Sequence, residues 1–386
     1  MKFLHLGDLH LGKYLADFDL LDDQRYILDQ ILELIEKESV DAVLIAGDVY
    51  DRANPNENAI SLLDWFLNEL SSMDVQVFLI SGNHDSDDRL NYGSWVFEKQ
   101  KIYISSVFNG SLAHRGIKIG DVAAEVYMLP FVKASQVRHF YDEDENIKTY
   151  EDAVRTVIDH ADIDESKVNI LIAHQFVSGR GEDPSLGGSE SVATQNVGTI
   201  EKISADVFDK FDYVALGHIH SPQQVGRQEV RYAGSPLKYS KSEVSNKKSV
   251  PIITVNGKDD IRIDLVPLKP RRDVIHIRGT MKELLDKSDE YGKDNYIYAT
   301  LTDEDPINDV MSIFQQTYPN TIAIDYDNSH TRAEEQIDIS KIAQKKSFEE
   351  LIGEFYKQIY GSEITPEEME VMRMVAREAG VIHEAN

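Results

Sequence analysis

Seven residues of this chain, all within its first 220 positions, have the types and spacing of a centre that holds two cations side by side. They are Asp8 and His10 in GDLH, Asp48 in GDVYD, Asn83 in GNHD, His174 in AHQ, and His218 and His220 in GHIH. Carboxylate, imidazole and amide donors without a thiolate suit manganese, iron or zinc; magnesium, which prefers oxygen, fits less well. A carboxylate has two oxygens, so Asp48 can bridge two cations. Paired cations activate a water and neutralise charge on phosphoryl oxygens, so the chemistry expected is hydrolysis of a phosphorus–oxygen bond. His84 directly follows Asn83 and is the candidate to protonate the leaving oxygen. Asp85 is the candidate to hold the His84 ring in the required tautomer.

These side chains need rigid elements behind them. Each motif follows a short apolar run with the length of a strand: Phe3–Leu6, Ala42–Ala46, Val75–Ile80, Ile170–Ala173 and Tyr213–Leu216. The runs are apolar on both faces, as strands covered by helices should be. Between them lie amphipathic stretches. Tyr26, Ile27, Ile31, Leu34 and Ile35 share one helical face, and Ile60, Leu63, Leu67 and Leu70 share another. The alternation predicts an α/β layered core with its site at the carboxyl ends of the strands. Taken singly, each motif has an ordinary explanation. GNHD can be a turn, since Gly and Asn tolerate positive φ, and GHIH can be two strand residues on one face. Five motifs in order, each behind an apolar run, are not explained that way.

The chain as a whole bounds the reading. At 386 residues it has room for two or three domains. Cysteine is absent, which excludes a disulfide framework and a thiolate metal site. No apolar run is long enough to span a membrane, and MKFLHLGDLH reads as strand and motif rather than leader, so a cytoplasmic protein is expected. The formal net charge of −28 argues against a stand-alone nucleic-acid binder, because phosphate contacts rely on Lys and Arg. Bound cations or a basic partner would offset it. There is no GxxxxGK[ST], so any use of ATP requires another subunit.

PLKPRRDV marks a boundary after a first domain over residues 1–267. The pattern then restarts as a small β-α-β-α-β unit over 270–330, with strands Val274–Ile277, Tyr296–Leu301 and Thr321–Ile324. One of its helices is opened by Thr280 with Glu283 as a capping box, the other by Asp305–Pro306. Residues 345–386 predict two amphipathic helices. Ser347 and Glu350 cap the first, which carries Phe348, Leu351, Ile352, Phe355 and Ile359; Thr365 to Glu368 start the second, with Met369, Met372, Val375, Ala376 and Ala379. The pair is either a hairpin on its own domain or a module that docks a partner. Trp65 and Phe66, off the main stripe of their helix, are either part of a dimer surface or covered within the subunit.

GDLH, GDVYD, GNHD, AHQ and GHIH together resemble the five signature blocks of calcineurin-like metallophosphoesterases. HLGDLHLGK, AGDVYDRANPNENA, SGNHDSDDRLN, DYVALGHIHSPQQV, VRYAGSPLKYS and SFEELIGEFYKQIYG resemble, in that order and to about residue 360, the SbcD family of bacterial nucleases. The resemblance implies an α/β layered β-sandwich flanked by helices, with a small α+β cap domain and C-terminal helices. It implies one metal held by Asp8, His10, Asp48 and His220, and another by Asp48, Asn83, His174 and His218, with His84 catalytic. Manganese is the implied metal. A homodimer acting with an SbcC-type ABC ATPase on DNA is implied: exonucleolytic on duplex ends when ATP is used, endonucleolytic on hairpins and single strands. Such a protein works in DNA repair, recombination and replication, associated with the nucleoid when on DNA. The tail helices would dock the ATPase. Archaeal and eukaryotic relatives place a histidine shortly after GD in the second block; here Asp51 lies in that region, and its role is open. The alternatives on the same residues are a small-molecule phosphodiesterase or phosphatase, and a non-catalytic scaffold.

Overall fold

The computed structural model describes residues 1–179, 183–186, 202–329, 331, 348–360 and 363–378. They fall into two compact units. The first comprises Met1–Arg278, Lys282–Ala299 and Asp309–Ile324; the second comprises Gly279–Met281, Thr300–Asn308 and Asp325–Asn386.

The first unit is a sandwich of two six-stranded sheets. One has the order Asp260–Pro267, Ser249–Gly257, Lys2–Leu6, Ala42–Ala46, Gln76–Ile80, Ile102–Ser105. The other has the order Gln223–Val225, Arg227–Tyr232, Tyr213–Gly217, Val168–His174, Val122–Leu129, Ala113–Ile119. The motif-bearing strands are central and parallel to their motif-bearing neighbours, with Leu4 beside Val43, Leu44 beside Phe78, and Val214 beside Leu171. Parallel pairing puts their carboxyl ends, and so their motifs, on one edge.

Strand alternation explains why the runs are apolar throughout. Phe3, Leu44, Phe78, Ile170, Ile172 and Tyr213 fill the space between the sheets. Their sequence neighbours Leu4, Val43, Ile45 and Val77 point the other way, onto Ile27, Ile31, Leu63 and Leu67 of the helices Leu21–Glu38 and Glu57–Ser72. On the outer face of the second sheet, Leu171, Val214 and Leu216 cluster with Val154 and Val157 of helix Tyr150–Asp159. Asn56 caps the second helix by accepting from the Ala59 N–H at 2.8 Å. Thr149 and Asp152 form a reciprocal capping box on the third.

Two residues placed on the helical faces by periodicity are not buried there. Tyr26 and Ile60 are exposed, because each lies at the rim of its stripe, one step off the sheet-facing residues. Phe66 is fully buried, and the Arg25 guanidinium lies 3.2 Å from the Trp65 ring centroid, so Phe66 belongs to the subunit's own core.

Segments of Val274–Gly279, Tyr296–Leu301 and Thr321–Tyr326 form a three-stranded sheet in that order. Within the first unit it is tied down by an ion pair on the buried Asp23. Asp23 accepts from Arg272 Nε at 3.0 Å and from the Tyr296 hydroxyl at 2.8 Å. The helix expected to open at Pro306 begins instead at Val310, since Asp309 takes φ +52° and breaks the helical run before it.

In the second unit, the Asp327 N–H donates to the Leu301 carbonyl at 2.8 Å and Asn328 Nδ2 to the Asp303 carbonyl at 3.1 Å. Helices Phe348–Tyr360 and Pro366–Glu378 pair, with Arg373 Nε 3.2 Å from Glu349. Thr365 and Glu368, read as the start of the second helix, form a capping box there. Ser347, Ala379 and the side chain of Ile359 lie outside the described residues. Phe355, Val371, Met374 and Val375 are exposed on the helix pair.

Candidate metal centre

The chain leaves three of these strands, Lys2–Leu6, Ala42–Ala46 and Tyr213–Gly217, by a sharp turn. Asp8 (φ 53°), His10 (φ 45°), Asp48 (φ 47°) and His218 (φ 98°) all adopt the left-handed region, which costs a non-glycine residue about 1–2 kcal/mol. Such strain concentrates where side chains must be aimed at one point. The turns are locked to one another: the Asp8 N–H donates to the Gly47 carbonyl at 3.1 Å and the His10 N–H to the Asp48 carbonyl at 2.9 Å. Two glycines allow the loops to touch. A Cβ on Gly82 would sit 2.1 Å from Asp48 Oδ1, and one on Gly217 would sit 1.9 Å from the Ala46 carbonyl oxygen.

All seven expected ligands converge, and all but Asn83 are buried. His10 Nε2 is 3.1 Å from His220 Nε2. Asn83 Oδ1 is 3.1 Å from His174 Nε2 and 2.9 Å from His218 Nδ1. Asp48 stands between the two groups, its Oδ2 being 3.5 Å from His10 Nε2 and 3.4 Å from His174 Nε2. Its Oδ1 accepts from the His84 N–H at 2.9 Å, so Oδ2 is the oxygen that faces both sets. Asp8, His10 and His220 form one group whose donor atoms can share a cation; Asp8, Asp48 and His174 form another, and His10, Asp48 and His84 a third.

The electrostatics fit divalent cations. Asp8 Oδ1 accepts from the His218 N–H at 2.8 Å, while its buried Oδ2 has no hydrogen-bond partner. Burial therefore raises the Asp8 carboxyl above its ordinary range. A carboxylate oxygen orphaned beside converging imidazoles is a ligand position without a proton donor. Burial, then the neighbouring His174, lowers His218 to about 3. Burial also holds His10 well below the usual range, so both rings are neutral and offer lone pairs. Burial opposes protonation of His174, but Asp48 and then Asp8 outweigh it and raise this ring to about 9. A ring that charges only to answer adjacent carboxylates marks a place where positive charge is wanted.

His84 sits at the rim. Its side chain is 26% exposed, against 6% or less for the residues His10, His174, His218 and His220. Its Nε2 is 4.0 Å from Asp48 Oδ2, and its Nδ1 lies 3.0 Å from the Asp51 carbonyl oxygen. This corrects the role read for Asp85. That carboxylate accepts from the N–H groups of Val49 (3.1 Å), Tyr50 (2.9 Å) and Gly82 (2.8 Å), joining the two loops rather than orienting the ring. Asp51 supplies the ring's partner through its backbone, and its carboxylate lies 2.6 Å from Lys13 Nζ and 3.7 Å from His10 Nδ1.

Sequence reasoning missed several supporting residues. Gln24 Nε2 donates to the His10 carbonyl at 2.7 Å, and the Tyr239 hydroxyl to the Leu9 carbonyl at 2.6 Å. Glu243 and Lys248 are buried behind His220. None stands in a metal-ligand spacing.

Residues 1–222 match the family described as calcineurin-like phosphoesterase, and residues 270–360 match one described as Type 5 capsule protein repressor C-terminal domain. The chain is 36% identical over 372 residues to the SbcD component of the SbcCD nuclease of Staphylococcus saprophyticus, covering 95% of each chain. Among solved structures it is similar to the GAP50 anchor of the Plasmodium inner membrane complex (14% identity, TM-score 0.37, 70% of this chain and 89% of that one). It is also similar to a dimetal phosphatase from Danio rerio (12% identity, TM-score 0.37, 70% of this chain and 99% of that one). With the layered α/β sandwich and the Asp/His cluster in place, the chain belongs to the calcineurin-like phosphoesterases and, within them, to the SbcD family.

Proposed function

We propose that this protein is the nuclease subunit of an SbcC–SbcD-type complex, hydrolysing phosphodiester bonds of DNA at a centre of two divalent cations, manganese in the first instance. Asp8, His10, Asp48 and His220 would hold one cation, and Asp48, Asn83, His174 and His218 the other. Bound there, the cations supply Lewis acidity and lower the pKa of the attacking water. The protein's own part in proton transfer falls to His84. A carbonyl can only accept, so His84 Nδ1 carries a hydrogen toward Asp51, and Nε2 is the nitrogen that gains or loses a proton facing the site. The observation that carries the reading is accessibility: His84 is the histidine of the cluster that a substrate can touch.

The partner is an ABC-type ATPase, docked on the exposed apolar residues of the tail helices, and the working form is a homodimer in the cytoplasm, on the nucleoid when bound to DNA. With the ATPase and ATP the complex acts as an exonuclease on duplex ends; it cuts hairpins and single strands endonucleolytically. Residues 270–330 form the DNA-capping domain. A basic partner surface also answers the net charge of −28. The test is cleavage by the purified chain with manganese, with and without the ATPase and ATP, on blunt, hairpin and single-stranded DNA. Metal-dependent cutting of single strands supports the reading. Hydrolysis of small phosphodiesters with no cutting of any DNA, in either arm, favours the small-molecule alternative that the acidic charge suggests.

A further inference from the structure

We infer that Glu243 is a positioning residue for the metal centre, fixing the tautomer and orientation of His220, and that Lys248 is its built-in counter-charge. The inference rests on the reading of His220 as a metal ligand.

His220 is held at three points. Its Nε2 faces His10 Nε2 at 3.1 Å, at the convergence of donors. Its Nδ1 lies 3.5 Å from Glu243 Oε1. Its backbone carbonyl accepts from Lys248 Nζ at 2.8 Å. A carboxylate accepts only, so a ring presented to it carries its hydrogen on Nδ1 and leaves the Nε2 lone pair for a cation. This is the carboxylate–histidine–metal arrangement, in which the outer carboxylate sets the ring angle and makes the nitrogen a better donor.

Glu243 is a surprising residue to find there. It is wholly buried, where an unpaired carboxylate is costly. Its oxygens are met from several sides: Oε1 by the Tyr239 N–H and the Ser240 hydroxyl, both at 3.2 Å, and Oε2 by Lys248 Nζ at 2.5 Å. Lys248, also buried, uses three donors on three acceptors: the His220 carbonyl, Ser235 Oγ at 2.8 Å, and Glu243. An ammonium has three hydrogens, so it is fully satisfied. A buried ion pair of this kind contributes little stability over an apolar pair of similar shape. Its placement on the ring and backbone of one ligand gives it a different use.

The test compares the full-length protein with Glu243→Gln by manganese titration calorimetry, with thermal unfolding of the metal-free and manganese-loaded forms. Gln keeps the shape but loses the charge. The expected result is a metal-free protein that unfolds cooperatively, with one manganese weakened about 10- to 100-fold and the other little changed. Two manganese ions bound with affinities within about twofold of the unsubstituted protein would overturn the inference. Should the unsubstituted protein bind no manganese, the metal reading itself fails, which is a separate result. If Glu243→Gln does not fold, the tautomer is read directly from histidine side-chain ¹⁵N shifts of the unsubstituted, metal-free protein. A His220 ring protonated at Nδ1 and bare at Nε2 supports the inference, and the opposite tautomer overturns it.

Discussion

His84 Nδ1 lies 3.0 Å from the backbone carbonyl oxygen of Asp51, which joins the loop after Asn83 to the loop after Asp48. The bond sets the one accessible histidine of the site with Nε2 toward Asp48 Oδ2. Because the acceptor is main chain, the side chain at position 51 can vary without releasing the ring.

His84→Ala should therefore separate chemistry from metal binding. Manganese-dependent cleavage of single-stranded DNA should fall by about 10²- to 10⁴-fold, the usual range for a lost proton donor. Metal stoichiometry measured on the same preparation should not change. Undiminished cleavage would remove His84 from the mechanism.

Asp85→Ala should act through structure. Three buried N–H groups, of Val49, Tyr50 and Gly82, lose their acceptor. Each unsatisfied donor costs about 1–3 kcal/mol, so a loss of about 3 kcal/mol or more is expected in urea unfolding, with weakened manganese binding. A variant as stable as the parent but catalytically dead would instead return Asp85 to the reacting groups.

Gly82→Ala should damage the centre by volume alone. Its Cβ would fall 2.1 Å from Asp48 Oδ1 and 2.3 Å from Asp48 N, so Asp48 must move. Overpacking of this sort costs about 1–3 kcal/mol. Because Asp48 faces both histidine groups, both manganese sites should weaken together in calorimetry; two sites of parental affinity would contradict the close fit.

His5 should make the fold sensitive to acid. It is buried between the sheets with Nδ1 3.0 Å from the Tyr213 hydroxyl; burial, and then Arg231, lowers it from 6.5 to about 3. The unfolded chain thus binds a proton near pH 6.5 that the folded chain refuses until about pH 3. Its contribution is complete above pH 6.5 and is lost as the pH falls toward 3, at about 1.4 kcal/mol per pH unit. Urea unfolding at pH 7, 5.5 and 4.5 should show a shallower decline for His5→Gln than for the parent. Equal slopes would show that His5 does not carry this term.

The helix pair should be dispensable for chemistry and required for partnership. Phe355 and Met374 are 55% and 56% exposed, an unusual use of large apolar side chains unless something covers them. Phe355→Asp with Met374→Asp should abolish binding to an SbcC-type ATPase in a pull-down and leave single-strand cleavage intact. Retained binding would move the docking surface elsewhere.

The sequence by itself determined the candidate metal ligands and the strands behind them. Asp8, His10, Asp48, Asn83, His174, His218 and His220 were legible as candidates because each follows a short run apolar on both faces, the pattern of a strand inside a layered core. The start of the last helix at Thr365 was equally local. What depended on a second surface was misread or unseen. Tyr26 and Ile60 fit a helical period, yet the width of the sheet decides where a buried stripe ends. Asp85 sits beside His84 in sequence, yet its carboxylate goes to N–H groups 35 or more residues away at Val49 and Tyr50. Glu243 and Lys248 carry no spacing signal at all; they meet His220 because the strands that hold these segments belong to one sandwich. Candidate ligands are written in local pattern because strand ends are local, whereas the groups that orient them are chosen by distance in space, which only packing creates.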